Sequence, residues 1–260
     1  ARREIAAALS DVLSNSIRRI YYKPEGTLPA RTDLAGTDGY LSGEDDSDAH
    51  VAVENGLRFG IDWLKGQKTG FFVDQRENRT LVERYARGRT VLNMFCYTGG
   101  FSVYALRGGA SLVHSVDSSA KAIALTDENV ALNFPHDSRH ESFAEDAFRF
   151  MDGIDGRYDL IILDPPAFAK HRDALRNGLQ GYRKLNATAI KKIKPGGLIF
   201  TFSCSQIVGK TDFRLAVFSA AAQTGRRVRI LHQLTQPADH PVSIYHPEGE
   251  YLKGLVLQVE

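Results

Sequence analysis

Two short segments carry side chains suited to covalent chemistry on a flat ring. Asp164-Pro165-Pro166-Ala167-Phe168 follows the apolar run 158–163, and Thr201-Phe202-Ser203-Cys204-Ser205 ends a later apolar run. Paired prolines fix the backbone and remove N–H donors, which makes a rigid platform for a base. A carboxyl group can bond a ring nitrogen, and an accessible cysteine thiolate is a nucleophile. We expect Asp164 and Cys204 to act together, against the alternatives of an ordinary turn and a packed cysteine.

A glycine turn is the second notable feature. Val91–Leu106 has the pattern of a strand, a tight turn at Tyr97-Thr98-Gly99-Gly100 and a helix. Backbone N–H groups in such a turn can approach a ligand beside the positive end of the helix. Asp117 ends the next apolar run, where an acid can accept hydrogen bonds from ribose hydroxyls. These positions predict a nucleoside site.

The expected nucleoside is S-adenosylmethionine (SAM). A dinucleotide site prefers Gly-x-Gly-x-x-Gly, and Tyr97–Ser102 does not match it, so the pyrophosphate cradle is missing while the ribose acid is present. Glu145-Asp146-Ala147 follows the third strand and is suitably placed for the adenine amino group. Cys96, on the apolar side of the turn, is interpreted as packing.

Alternating strand and helix patterns predict an α/β, doubly wound parallel sheet. Strands are expected at 90–95, 111–116, 139–143, 158–163, 197–203, 228–233 and 252–259, and helices at 76–86, 99–107, 119–131, 145–151, 178–193 and 212–223. Before them we expect a helix within 1–20, an Ile17–Tyr22 strand, a loop-rich connector over 23–48 and a β-hairpin turning at Asn55-Gly56. The chain is divided into a small α+β segment, 1–64, and a larger domain, 65–260.

Composition narrows the class of protein. The 260 residues are 43% hydrophobic and 25% charged, with a net charge of +2, as in an ordinary globular protein. Two cysteines do not suggest a disulfide framework, no window approaches the roughly 18 apolar residues of a membrane span, and no metal-ligand cluster stands out. We expect a cytoplasmic protein with no membrane association. The oligomeric state is left open, a homodimer included.

These motifs closely resemble the RNA cytosine-5 methyltransferase family typified by the enzyme that makes 5-methylcytidine in bacterial large-subunit (23S) ribosomal RNA. The resemblance runs from about Ala49 to the end of the chain. It is carried by Gly66–Arg79 (Gly-Gln-Lys-Thr-Gly-Phe-Phe-Val-Asp-Gln-Arg-Glu-Asn-Arg), Asn93–Phe101, Val116-Asp117, Asp164–Phe168, Gly181-Tyr182, Thr201–Ser205, Asp239-His240-Pro241 and Tyr251–Gly254.

The resemblance implies a Rossmann-like class I methyltransferase fold, SAM as the methyl donor and RNA, above all ribosomal RNA, as the partner. It implies that Gln67–Arg79 closes over the methionine end of the cofactor, with Arg76 near its carboxylate. The expected cofactor-binding residues are Lys68, Thr69, Phe71, Asp74, Arg76, Asn93, Phe95, Tyr97, Thr98, Gly99, Asp117, Ser118, Asp146, Ala147 and Asp164. The expected substrate-binding residues are Pro165, Pro166, Phe168, Tyr182 and His240.

The chain departs from the family in two ways. An N-terminal PUA RNA-binding domain is normal there, and we expect this chain to carry only the later part of the domain that follows it. Ala167 stands where many relatives have Lys, and no second cysteine follows Pro165-Pro166 to expel the product.

Three functions stay open. In the preferred one, Cys204 adds to C6 of cytosine and Asp164 stabilises the ring at N3. The alternatives are methylation of another RNA atom, such as a guanine nitrogen, and a non-catalytic SAM- or RNA-binding module. Candidate basic faces for RNA contact are Lys191, Lys192 and Lys194, or Arg226, Arg227 and Arg229, although such sets are more often plain solvated surface.

Overall fold

The computed structural model describes residues 2–13, 16–23, 39–43, 50–66, 69–154 and 156–260. The chain divides into a smaller unit, Ala1–Val51 with Ile61–Phe71, and a larger unit, Ala52–Gly60 with Phe72–Glu260. This division assigns most of the predicted hairpin to the larger unit. The boundary expected between residues 64 and 65 stays a prediction.

The smaller unit contains helix α1 (Arg2–Leu13) and an antiparallel pair of strands, β1 (Ile20–Tyr22) and β2 (Gly39–Ser42). The α1 helix is where the sequence predicts one. The expectation of a plain connector over 23–48 is wrong at β2, which pairs with β1 and brings the Tyr21 and Tyr40 rings edge to face at 5.0 Å. A four-residue strand is too short for its alternation to be recognised, and its partner strand defines it. The acidic run 44–48 lies outside the described residues.

The predicted hairpin is present as β3 (Val51–Glu54) and β4 (Leu57–Gly60). Asn55 and Gly56 both have positive φ, 49° and 80°, as a two-residue hairpin turn that follows the twist of its strands requires.

The larger unit is built on a seven-stranded sheet in the order β10-β11-β9-β8-β5-β6-β7. Its strands are β5 (Thr90–Met94), β6 (Leu112–Asp117), β7 (His140–Ala144), β8 (Leu160–Leu163), β9 (Gly197–Ser203), β10 (Val228–Thr235) and β11 (Lys253–Val259). Its helices are α2 (Arg76–Ala86), α3 (Gly100–Arg107), α4 (Ala120–Asn133), α5 (Ala147–Gly153), α6 (Leu175–Lys192) and α7 (Lys210–Thr224). Each lies where the sequence pattern predicts it, and the doubly wound class is confirmed.

One strand differs from the expected parallel sheet. β5 to β9 run parallel, but β11 runs antiparallel between β9 and β10. Residues 236–252, which join β10 to β11, contain a single 3-10 turn and no α-helix. A parallel neighbour is usually reached through a helical crossover, and this connection without an α-helix leads instead to an antiparallel strand.

The core supports the edge where the parallel strands end. All four residues of β8 are buried, and Tyr182, Leu185 and Phe213 of α6 and α7 pack in the same apolar cluster. The order of strands reverses at β5, which lies between β6 and β8. A crevice for ligands is expected at that reversal, beyond the carboxyl ends of the strands. Within the described ranges, no helix is long and apolar enough to cross a membrane.

Candidate active site

The glycine turn after β5 has an unusual backbone. Phe95, Tyr97 and Gly99 all have positive φ, at 59°, 49° and 77°. The left-handed region costs an L-residue other than glycine roughly 1–2 kcal/mol, so two aromatic residues here store strain of the kind found at ligand sites. At Gly99 a Cβ would lie 2.6 Å from Cγ2 of Thr126, so α4 approaches too closely for any side chain.

Asp117, at the end of β6, is held by this turn. Its Oδ2 accepts from the backbone N–H of Tyr97 at 3.1 Å, and its Oδ1 accepts from that of Ser119 at 2.9 Å. An ionised carboxylate has about four acceptor positions, so two stay available for a pair of ribose hydroxyls. Ser118, beside it, is exposed. The predicted ribose acid is therefore pre-oriented.

Two predicted cofactor residues at β5 and its turn are buried. Nδ2 of Asn93 donates to Oγ of Ser102 at 2.9 Å, while its Oδ1 has no hydrogen-bond partner among the described residues. Thr98 is buried, and its carbonyl accepts from Nδ2 of Asn129 at 2.9 Å. Both stabilise the turn from inside, and their contact with a cofactor stays a prediction.

At the third strand, Asp146 is the N-cap of α5. Its exposed carboxylate accepts from the backbone N–H of Arg149 at 3.0 Å, and Ala147 behind it is buried. The cap fixes the loop after β7, so the loop itself is preformed. Recognition of adenine there stays a prediction.

Asp164 follows β8 and sits among polar groups from distant parts of the chain. Nε2 of Gln75 donates to its Oδ2 at 3.1 Å. Burial, together with the nearby carboxylate of Asp74, raises the pKa of Asp164 to about 7. Near neutral pH a substantial fraction of this carboxyl group is therefore protonated and can donate a hydrogen bond.

Asp74 itself is nearly buried, at 8% exposure, and its Oδ2 accepts from the hydroxyl of Tyr251 at 2.6 Å. Its Oδ1 has no hydrogen-bond partner within the described part of the chain. Burial and the Asp74 contact raise the pKa of Tyr251, so this hydroxyl stays protonated as the donor.

Cys204 lies on a turn that its two neighbouring serines anchor. The Ser203 hydroxyl donates to Oη of Tyr182 at 2.9 Å, and the Ser205 hydroxyl donates to the Ala169 carbonyl at 2.5 Å. Both serines are buried, whereas Cys204 is partly exposed. β8 and β9 are paired in parallel with Leu163 opposite Thr201, so Asp164 and Cys204 emerge at the same edge.

The proline platform is partly open. Pro165 is buried and Pro166 is exposed. The Phe168 ring packs against Tyr182 with centroids 4.7 Å apart, and a Cβ at Gly181 would lie 3.0 Å from that ring. Tyr182 is fully buried, and burial raises its pKa to about 12. Phe168 and Tyr182 support the platform by packing against each other, and direct contact with a substrate stays a prediction for both.

Cys96 has the structural role predicted for it. Its side chain is buried, with Sγ 3.6 Å from Oγ1 of Thr126. Burial raises the pKa of its thiol to about 12, which keeps it protonated and unreactive.

Arg76 is engaged differently from the expectation. Its Nε lies 3.2 Å from Glu77 and its Nη1 lies 2.5 Å from Oδ2 of Asp239, and these contacts raise its pKa. Nδ1 of His240 is 2.9 Å from Oδ1 of the same Asp239. Arg76 would have to release a carboxylate before it could bind that of the cofactor, so its predicted role and that of His240 stay predictions.

Three residues predicted to bind the cofactor lie outside the described part of the larger unit. Lys68 lies outside the described residues. Thr69 and Phe71 belong to the smaller unit, where the Thr69 hydroxyl donates to the Phe71 carbonyl at 3.1 Å. Their cofactor contacts stay predictions. Across the described ranges, no three His, Cys, Asp or Glu side chains are grouped to hold a metal ion.

The sequence argument did not predict the contacts that surround Asp164 and Cys204. It assigned no individual role to Gln75, Tyr251 or Lys253, although all three lie inside motif blocks that carry the family resemblance. Membership of these motif blocks was thus a signal that could have pointed to the three residues. The contacts themselves join residues 89 and 177 positions apart, which no local pattern reveals.

A sheet of this order, with a strained glycine turn and a ribose acid at its reversal point, defines a SAM-type methyltransferase site. The chain belongs to the S-adenosylmethionine-dependent methyltransferase family, whose family model matches residues 27–251. SAM is therefore its cofactor.

Individual relatives agree with this family. A protein from Tolumonas auensis named ribosomal RNA large subunit methyltransferase I is 39% identical over 99% of this chain, which covers 65% of that protein. A solved structure from Streptococcus mutans, assigned as a SAM-dependent methyltransferase, is 26% identical with a TM-score of 0.84, covering 99% of this chain and 65% of its own. A second crystal structure, of a protein assigned as a methyltransferase and complexed with SAH, is 27% identical with a TM-score of 0.85. The match covers 99% of this chain and 66% of that one. The chain thus spans about two-thirds of these relatives.

The residues present fit the cofactor. The turn from Phe95 to Gly99 is preformed, Asp117 keeps acceptor positions for a ribose, and Asp74 and Asn93 each present a buried oxygen without a partner among the described residues. Such oxygens are costly unless a ligand donor satisfies them.

Proposed function

We propose that this chain methylates C5 of cytosine in large-subunit ribosomal RNA, using Cys204 as nucleophile and Asp164 at N3. The observation that carries the proposal is the pairing of a partly exposed cysteine, on a turn anchored by two buried serines, with a carboxyl group whose pKa is about 7. The name of the Tolumonas auensis relative supports ribosomal RNA as the substrate class. Such a substrate implies a cytoplasmic reaction.

Cytosine C5 is a poor nucleophile, and the site has the groups needed to activate it. Addition of the Cys204 thiolate to C6 gives C5 the character of an enamine carbon. Protonated Asp164 donates to N3 and stabilises the negative charge that develops in the ring. Bound SAM supplies an electrophilic methyl group. Once C5 carries the methyl group and S-adenosylhomocysteine is left, solvent water accepts the C5 proton. The electrons of that C–H bond form the C5–C6 double bond and expel the Cys204 thiolate.

The target base must leave its stack to reach Cys204. Exposed Pro166 offers a flat surface at the same edge of the sheet, and buried Pro165 and partly buried Phe168 hold that surface in place. The orientation of this loop is fixed from α6, since Gly178 leaves no room for a Cβ against Ala169, 2.8 Å away. The site therefore suits an unstacked base better than a duplex.

The two basic faces considered from the sequence are poorly placed to bind RNA. Lys192 donates to the carbonyls of Asp152 and Ile154, Lys194 pairs with Asp159, and Arg226 donates to the carbonyls of Ile190 and Ile193. These groups lie before β9 and β10, at the amino ends of the strands.

A groove between α6 and α7 is better placed. Its volume is about 560 Å³, and its lining includes Arg172, Arg176 and Arg183 together with Asp173 and Asp212. In the described part of the chain none of the three guanidinium groups is paired with a carboxylate. The groove begins four residues after Phe168, at the carboxyl edge of the sheet. We place the RNA backbone along it.

Transfer of labelled methyl from SAM to large-subunit ribosomal RNA, followed by digestion to nucleosides, tests the proposal. We expect 5-methylcytidine. A methylated guanosine would favour the guanine-nitrogen alternative. SAM binding without any transfer to RNA would favour the non-catalytic module and contradict the proposal.

A further inference from the structure

Lys253 is a buried cation next to the turn that carries Cys204. It is the first residue of β11, is only 5% exposed, and is paired in the sheet with Ser203. Its Nζ donates to the carbonyls of Ser205 at 2.5 Å and Val208 at 2.6 Å. The side chain therefore spans the turn that starts at Cys204 and brings its charge within one residue of the thiol.

Lys253 is not in direct contact with a carboxylate within the described ranges. No Asp or Glu of the described residues forms an ion pair with its Nζ, and burial lowers the pKa of this amine. A buried ammonium is costly unless an anion compensates it. The titratable groups around this corner are Cys204, Tyr182, Tyr251, Asp164, and the Lys210–Glu250 pair, whose two members bind each other.

Most of these groups are unsuited to be the anion. Tyr182 and Tyr251 have raised pKa values and stay neutral, and burial raises the pKa of Asp164 to about 7, so that much of this carboxyl group is protonated near neutral pH. Glu250 is occupied by Lys210 at the surface. The Cys204 thiolate is the anion that forms beside Lys253 during the proposed reaction.

We propose that Lys253 is a positioning residue that holds the 204–208 turn and stabilises the thiolate form of Cys204. The proposal rests on the use of Cys204 as nucleophile in the proposed function. A cation next to a thiol favours the thiolate, and the thiolate in turn favours the charged amine. Lys253 thereby makes Cys204 reactive at neutral pH. It also stabilises the Cys204 thiolate that is released when the product is expelled.

The test measures alkylation of Cys204 by iodoacetamide as a function of pH. The protein carries Cys96→Ala, so that Cys204 is the one cysteine that can be alkylated. We expect Lys253→Met to move the midpoint of the alkylation profile to higher pH by about 1 unit, which slows alkylation at pH 7 by about 10-fold. Lys253→Arg keeps the charge and restores most of the rate. The matched control Lys210→Met, which removes an exposed cation of the same neighbourhood, leaves the midpoint unchanged. An unshifted midpoint in folded Lys253→Met protein would overturn the proposal.

A reciprocal measurement avoids substitution of the lysine. The titration of Lys253 Nζ, followed by NMR, is expected to move to lower pH in Cys204→Ser protein, because the compensating thiolate is gone. Identical titrations would contradict the proposal.

Neither experiment uses RNA, so the two proposals can fail separately. Lys253-dependent alkylation with no methyl transfer to RNA would contradict the proposed function alone. Methyl transfer that needs Cys204, with an alkylation profile insensitive to Lys253→Met, would contradict the role of Lys253 alone.

Discussion

Asp164 shows how the position of a residue in the sequence and its surroundings in the fold contribute separately to its properties. Its place directly after a buried strand was readable from the sequence, as was that of Cys204. Its protonation could not be read, because it depends on burial and on Asp74, 90 positions away in the chain. The same holds for the two serines beside Cys204, whose partners, Tyr182 and Ala169, are set by packing.

The raised pKa of Asp164 predicts a pH dependence. The protonated donor is fully present well below pH 7 and is lost as the pH rises through about 7. We expect kcat/KM for methyl transfer to fall above that pH on account of Asp164. Asp164→Asn donates at every pH, so this alkaline limb should disappear while the rate drops by roughly 100-fold. An unchanged limb in Asp164→Asn would contradict the assignment, and Asp152→Asn, at an exposed position outside the groove, is the control.

The same substitution predicts a change in stability. A carboxyl group whose folded pKa is above its unfolded value, about 4, costs stability increasingly as the pH rises from 4 to 7. Asp164→Asn removes this cost, so its unfolding temperature should exceed that of the parent at pH 8 and match it near pH 4. Equal differences at both pH values would argue against a neutral Asp164.

Among the elements, periodic patterns predicted best where elements are long. The helices and strands from residue 76 onward were located to within a few residues, because apolar periodicity persists over them. β2 and the direction of β11 were not predicted. Both depend on a partner strand, β1 and β9 respectively, and pairing is a long-range property. The exact course of an RNA surface is likewise set by how α6 packs beside α7.

The groove between these helices predicts a salt dependence. Changing Arg172, Arg176 and Arg183 to Gln should weaken RNA binding and reduce the slope of log Kd against log salt by about 2, since each single-strand phosphate contact contributes about 0.7. The matched control changes Lys191, Arg214 and Arg227 to Gln, which removes the same charge from exposed positions outside the groove. Equal slopes for the two triple variants would mean that the groove has no special role.

At the scale of the whole molecule, a buried ion pair within the larger unit binds the hairpin to α2. Glu54 of β3 binds Arg79 of α2 through two contacts of 2.8 and 2.7 Å, and the Tyr104 hydroxyl donates to the same carboxylate at 2.9 Å. Arg79 also donates to the Phe72 carbonyl, so the pair fixes the start of α2 close to Asp74 and Gln75. Nothing in the sequence pattern of the hairpin marks Glu54 for this role.

Breaking this pair is expected to destabilise the protein strongly. Glu54→Gln leaves the buried Arg79 charge uncompensated, which typically costs about 3–5 kcal/mol and lowers the unfolding temperature by roughly 10 °C in a unit of this size. The comparable Glu83→Gln substitution weakens a pair that is 25–29% exposed, and should cost under about 1 kcal/mol. Similar losses in thermal unfolding would contradict this ranking.

The central claim is that Cys204 forms a covalent bond with cytosine, and trapping on RNA that contains 5-fluorocytidine tests it directly. Fluorine at C5 cannot leave as a proton does, so the adduct should persist in the presence of SAM and be seen by mass spectrometry on the peptide containing Cys204. Because the chain has two cysteines, Cys96→Ala is an internal control. We predict that Cys96→Ala keeps the adduct and that Cys204→Ala loses it; an adduct that survives in Cys204→Ala would contradict the account.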